Sequence, residues 1–353
     1  MRSLRLGGAL MMASLLVVLA AIHVTAAPAR LPEFAQGVSC PIDGFPKDKI
    51  EIMAPAGPGG GWDTTAREMQ RVLQDNVVEQ SVEVYNVEGA GGTVGLAQLA
   101  HDEKGNENQL MMMGLVMVGA IATNQSAVSL DDVTPLARLT TEYEVIVVPA
   151  GSPYKSLDDL IAAFKKDPTA ISWGGGSAGG TDHILAGLIA KAEGIDPTQV
   201  NYVPFSGGGE ALAAILGGQV SAGISGVGEW IDQIEAGKLR ALAVSGSGAA
   251  NGSPVASPSG TPTPAVAPTL RDQGVDVELA NWRGVVAPPG ISDETRQCMI
   301  AMVDQMHSSD AWTQVLTKYG WQDYFLSGDE FSSFLGQERE RVTGILKDLG
   351  LVS

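Results

Sequence analysis

The chain has 353 residues, 44% of them hydrophobic, enough to bury two cores at roughly 100–200 residues per domain. Its 40 acidic residues outnumber its 22 lysines and arginines, giving a formal charge of −18. That balance argues against nucleic acid or an anionic membrane as partner, but not against a small anion, which backbone amides attract locally.

Residues 1–26 read as a signal peptide, with Arg2 and Arg5 in the basic region and "GGALMMASLLVVLAAI" as the apolar run. "VTA" or "APA" supplies the small-residue cleavage site. The run is short for a membrane span of about 20 residues, and no later segment is long enough. The first cysteine, Cys40, lies too far downstream for a lipoprotein. Export leaves Cys40 and Cys298 in an oxidising compartment, where a bridge and two buried thiols are both open readings. Nucleotide cofactors are scarce there.

Short β-type runs then alternate with helix-type periodicity, the mark of parallel α/β construction. The first set is "KIEIMAPA" (49–56), "SVEVYNV" (81–87), "NQLMMMGL" (108–115) and "EVIVVPA" (144–150). The second is "AISWGG" (170–175), "VNYVPF" (200–205), "QVSAGISG" (219–226) and "LRALAVSG" (239–246). A last strand in "DVELANWRGVVAPP" (276–289) precedes two terminal helices. Ala66, Met69 and Leu73 form a core-facing stripe. Ser156 with Asp159, and Ser327 with Glu330, fit capping boxes. The uncharged Gly/Ser/Pro stretch 246–268 reads as an inserted surface loop.

One device repeats. The first set ends its strands in "GPGGGWD", "EGAGGTVG" and "GLVMVG"; the second in "GGGSAGG", "FSGGGE" and "SGVGE". All six fall at the carboxyl ends of expected parallel strands, where open α/β sheets bind ligands. Glycine allows close backbone approach, and a helix start there aims unpaired N–H groups and partial positive charge at one spot. Any one turn is explained by tight strand-on-helix packing. Two matched sets point to two lobes facing each other across a cleft.

Rival chemistries fit less well. Gly89, Gly91, Gly92 and Gly95 approach a dinucleotide fingerprint with the last glycine displaced, and no turn ends in Gly-Lys-Ser/Thr. "GGSAG" (Gly175 to Gly179) matches a nucleophile elbow at Ser177, so a secreted serine hydrolase is the alternative. Its histidine would have to be His101, His183 or His307. His183 is only six residues past Ser177, His307 reads as a solvated helix position, and no His-Gly-Gly segment lies upstream. The scattered histidines give no zinc pattern.

The blocks "IMAPAGPGGGWDTTAREMQ", "NVEGAGGTVGLAQLA", "MMMGLVMVGAI", "GGGSAGGTDHILAGLIAKAEGI", "NYVPFSGGGEALAAILGGQVSAGISG", "GKLRALAVS" and "NWRGVVAPPGIS" occur in one order. Together they resemble the TctC or Bug family, the extracytoplasmic solute receptors of tripartite tricarboxylate transporters, over nearly all of the mature chain. The "APAGPGGGWD" form is closer to the TctC-like branch; the 246–268 loop and the "SCPIDGFP" start depart from the pattern.

The resemblance implies a two-lobed periplasmic-binding-protein fold of α/β class, a Venus flytrap whose lobes are each a mostly parallel sheet flanked by helices. Lobe 1 would span 45–147 plus 281–353 and lobe 2 148–280. It implies a monomeric carrier without cofactor or metal that takes a small carboxylate, citrate-like by branch, to a membrane permease. Carried over residue by residue, the first pincer is Gly59, Gly60, Gly61, Trp62, Asp63 and Thr64, with Gly91, Gly92 and Thr93 beside it. The opposing pincer is Ser177, Ala178, Gly179, Gly180, Thr181 and Asp182, with Ser206, Gly207, Gly208 and Gly209 adjoining. Asp63 and Asp182 are awkward beside an anion and read first as helix caps. Arg67 is the nearest cation, Trp62 reads as cleft wall or core, His183 as a packed residue, and Trp282 and Arg283 as hinge or core.

Overall fold

Three βα units come first, and their apolar runs dictate where they lie. β1 (Ile50–Ala54), β2 (Val82–Asn86) and β3 (Gln109–Gly114) are followed by α1 (Gly61–Asn76), α2 (Thr93–His101) and α3 (Leu115–Thr123). β1 pairs in parallel with both neighbours, Ile52 standing opposite Val84 on one side and Leu110 on the other. Every residue of β3 is buried, as expected of a strand covered on both faces. The α1 stripe of Ala66, Met69 and Leu73 is fully buried. This is a computed structural model, and it describes residues 39–176, 178–246 and 266–353. The expected signal peptide, Ser177 and most of the 246–268 insertion lie outside the described residues.

β4 (Thr134–Pro149) is the element that joins the molecule. Its first part pairs antiparallel with β9 (Ala280–Ala287), from Thr134 opposite Ala287 to Tyr143 opposite Ala280. β9 in turn lies antiparallel to β3, and β10 (Gln322–Ser327) adds to β4. From Glu144 onward β4 pairs instead with β7 (Ala222–Gly226) and β8 (Leu239–Val244). β5 (Ser172–Gly175) lies parallel between β7 and β6 (Asn201–Pro204). The sheet order is β2-β1-β3-β9-β4-β7-β5-β6, so one continuous strand serves two sheet regions.

Helices α4 (Leu157–Lys166), α5 (Thr181–Ala192), α6 (Gly208–Leu216) and α7 (Val227–Glu235) belong to the second region, and α8 (Asp293–His307), α9 (Asp310–Tyr319) and α10 (Gly328–Asp348) close the chain. The strands read from the sequence are all present, but five features differ. β4 begins ten residues before Glu144, because Pro135, Arg138 and the Thr140–Thr141 pair break the apolar pattern there. β10 and a third terminal helix also appear. Ser156 forms its capping box with Asp159, whereas Ser327 makes no side-chain cap. His307 is not a solvated position: its Nε2 lies 2.9 Å from Asp323 Oδ1, and its ring stacks on Phe325 at 4.0 Å. Cys40 and Cys298 are bridged, tying the start of the described chain to α8.

Candidate functional site

Six helices start at the ends of parallel strands, and their caps set them apart. α1, α5, α6 and α7 have Gly60, Gly180, Gly207 and Gly226 as N-caps, each without a side-chain bond to the helix amides. α2 and α3 begin likewise on Gly92 and Gly114. α4, α8 and α9 instead begin on Ser156, Ser292 and Ser309, whose hydroxyls accept N–H groups of the first turn. A serine cap satisfies amides that a glycine cap leaves for another acceptor.

The glycine-capped starts converge. A methyl group built on Gly60 would stand 3.7 Å from the Gly208 backbone nitrogen and 3.8 Å from Gly207 Cα. One on Gly209 would meet the Pro58 carbonyl oxygen at 3.3 Å. The 57–61 turn and the 206–209 turn therefore face each other with room for no more than a methyl group between them at Gly60. Gly92 sits at φ +89° against Trp62, where a side chain would be both strained and crowded.

Between these turns lies a cavity of about 380 Å³. Of the first expected pincer, Gly60, Gly61, Trp62, Gly91 and Gly92 line it; of the second, Ala178, Asp182, Ser206, Gly207 and Gly208 do. Trp62 is 7% exposed, so it is cleft wall and core at once. Gly59, Asp63, Thr64, Thr93, Gly179, Gly180, Thr181 and Gly209 are not part of the lining.

Asp63 and Asp182 do not cap their helices in the expected way. Asp63 Oδ2 accepts the Gly59 N–H at 2.9 Å and Oδ1 the Asn86 side-chain amide, also at 2.9 Å, while Arg67 pairs with both oxygens. Burial opposes its ionisation, but the bonds from Arg67, Gly59 and Asn86 more than offset that and hold the carboxyl below its usual range. Asp63 thus ties the first turn shut. Asp182 accepts the N–H of Gly176 from its own turn. His183 is the packed residue expected: Nδ1 accepts the Gly179 N–H at 3.1 Å, the ring stacks on Tyr202, and burial lowers it to about 4.

The inner wall was not visible in the glycine motifs. It consists of Glu144 from β4, Asp182 from α5, Ser225 and Glu229 from the β7–α7 junction, and Asn281 and Arg283 from β9. Arg283 is 2% exposed; its Nη2 pairs with Glu142 and lies 3.3 Å from Glu229 Oε1. The other Glu142 oxygen accepts the Trp321 Nε1–H at 3.1 Å. Burial pushes Glu142 up, opposed by Arg283. Burial also pushes Asp182 up to about 6 and Glu229 to about 8, the latter against the pull of Arg283. Glu144, wholly buried, is raised well above the usual range by burial first and then by Asp182, Glu142 and Glu229. No N–H or alcohol donor reaches its two oxygens, and Arg283 Nη1 meets no acceptor. Asp182 and Glu144 are close enough to share a proton, which only a protonated pair can do. A signal existed: Glu142 and Glu144 are acids at i and i+2 on one face of a buried strand.

Comparison with known proteins places this geometry. Residues 65–351 match the model of the tripartite tricarboxylate transporter family receptor, TctC. The protein BugT of Bordetella pertussis is 28% identical over 324 residues, covering 89% of this chain and 94% of its own. A protein of Cupriavidus necator encoded in a gbd 5' region is 25% identical, covering 93% of this chain and 95% of its own. Among solved structures, the periplasmic binding protein BugD superposes with TM-score 0.74 at 20% identity, over 87% of this chain and 99% of its own. MatC from Rhodopseudomonas palustris, solved with bound malate, gives 0.72 at 23% identity over 86% of this chain and all of its own (100%). A second R. palustris protein, solved with adipate, gives 0.74 at 23% identity, over 87% and 98%. These structures share the two-lobed α/β fold.

Proposed function

We propose, proceeding from the fact that this chain belongs to the TctC family of tripartite tricarboxylate transporter receptors, that it captures a small organic carboxylate in the cleft and delivers it to a membrane permease. Members of this family are periplasmic solute receptors rather than enzymes. Residues 1–26 would export the chain; among the described residues no helix is long and apolar enough to cross a membrane.

The observation that carries the reading is the convergence of glycine-capped helix starts on one cavity from two sheet regions. Their amides suit carboxylate oxygens, at about 1.5–3 kcal/mol for each charge-assisted bond. Four or five such bonds would support micromolar binding after association costs. The cavity volume suits an acid of the size bound by the malate and adipate proteins. The branch resemblance favours a citrate-like tricarboxylate. The carboxyl-rich inner wall works against a third ionised carboxylate unless the wall holds protons.

Lobe 1 would comprise 45–147 plus 281–353 and lobe 2 148–280, with β4 and the entry to β9 as the two crossings about which a monomer closes. The turns would be the pincers, Gly60, Gly61, Gly207 and Gly208 at their tips. Asp63 and Thr93 would support them from behind.

Calorimetry on the mature protein tests this: saturable one-to-one binding of an organic acid without turnover is expected. Native mass spectrometry of the purified protein would show a co-purified acid. Labelling of Ser177 by a fluorophosphonate, with ester cleavage lost in Ser177→Ala, would overturn the reading in favour of a hydrolase.

A further inference from the structure

We infer that the inner wall is a head-group subsite for an amino-substituted organic acid, Glu144 accepting the ligand's ammonium group and Arg283 Nη1 donating to the carboxylate beside it. This rests on the receptor reading of the same cleft and narrows its ligand class.

Charge is the first reason. Four carboxyls, Glu142 and Glu144 from β4, Asp182 from α5 and Glu229 from α7, face one guanidinium, Arg283 from β9. Arg283 commits Nη2 to Glu142 and Glu229. Glu144 and Asp182 are left without a cation. A fully anionic guest needs the wall to keep its protons; an ammonium can stand in for them.

Satisfaction of polar atoms is the second, independent reason. Arg283 and Glu144 are buried and both line the cavity; Arg283 Nη1 meets no acceptor, and the Glu144 oxygens meet no donor beyond the proton they can share with Asp182. Buried polar groups are rarely left so unless something arrives to complete them. A carboxylate and an ammonium on one carbon complete both. A hydroxyl would supply one neutral hydrogen bond and leave the wall dependent on its protons. A metal ion is the other possible cation, but among the described residues no group of three or more His, Cys, Asp or Glu is arranged to hold one.

The wall's protons give the test a sign. In the empty cleft, burial favours the protonated forms of Glu144 and Glu229. An arriving ammonium replaces those protons, so binding releases protons to solvent; a guest carrying only carboxylates demands that they stay or increase.

The experiment is calorimetry near pH 7, in two buffers of different ionisation enthalpy, on matched acids of three lengths with citrate alongside. The pairs are succinate and aspartate, glutarate and glutamate, adipate and 2-aminoadipate. In at least one pair the amino form should bind at least about tenfold more tightly, with net proton release. In Glu144→Gln the order within that pair should invert, the amino form losing about tenfold and its unsubstituted partner gaining. The wild-type proton count stands even if that variant folds poorly. Unsubstituted acids or citrate binding as tightly as every amino form, or net proton uptake by the tightest ligand, would overturn the subsite and leave the receptor reading intact. If none of these acids bound, both readings would fall.

Discussion

The helices that start at the cleft and the serine-capped helices that start away from it meet the same need in opposite ways. α4, α8 and α9 close their first turns internally with Ser156, Ser292 and Ser309. α1, α5 and α6 begin on glycine, with no side chain closing the turn, and aim those turns into one cavity. The difference teaches that a helix start becomes a binding device by leaving its amides unsatisfied. α10 shows that position matters too, since Ser327 makes no cap bond yet lies away from the cavity.

The largest expected effect separates the two regions by stability. Cys298→Ser removes the bridge to Cys40, and neither cysteine lines the cavity. It should cost about 2–5 kcal/mol in denaturant unfolding while leaving carboxylate affinity unchanged. Gly60→Val does the reverse. Its backbone is extended, φ −83° and ψ 174°, so valine fits locally, but its methyls would stand in the opposing turn. Affinity should fall about a hundredfold, near 2.7 kcal/mol, with the melting temperature of the empty protein moving only a few degrees.

The carboxyl wall gives a third outcome. Glu229 titrates near 8 when folded against 4.5 when exposed, so between those values the native state holds a proton that the unfolded chain has lost. Stability contributed by that proton is lost as pH rises through this window. His183 works the other way, its folded value near 4 lying below 6.5, so stability is lost as pH falls below 6.5. Above pH 6.5 His183 no longer offsets the wall, so calorimetric melting of the empty protein should drop by several degrees, about 1–3 kcal/mol, between pH 6.5 and 8.5. Glu229→Gln should flatten that drop. Smallest of all, Ser156→Ala should cost about 1 kcal/mol and leave binding untouched, because its cap serves only α4.

Much of this was legible in the chain. The six glycine turns stood out because a local requirement, backbone close to backbone, shows in adjacent residues. The strands of the βα units showed for a related reason, apolar residues recurring among near neighbours, continuously in β3 and at alternate positions in β2. Glu144, Glu229 and Arg283 were hidden because their meaning is non-local: β4, α7 and β9 contribute them from positions far apart in sequence. Arg283, read as hinge or core, is buried and also faces the cavity. Asp63 and Asp182 read as ordinary helix caps since sequence spacing does not say which amide a carboxylate will find. They bind Gly59 and Gly176, residues of the turns themselves.

Amide shifts from ¹⁵N-labelled protein, or a crystal structure with the co-purified acid, test the central claim most directly. The account predicts a ligand carboxylate within hydrogen-bonding distance of the first amides of α1 on one side and of α5 or α6 on the other. An acid seated outside the cleft, or held mainly by lysine and arginine side chains with those amides unmoved, would contradict it.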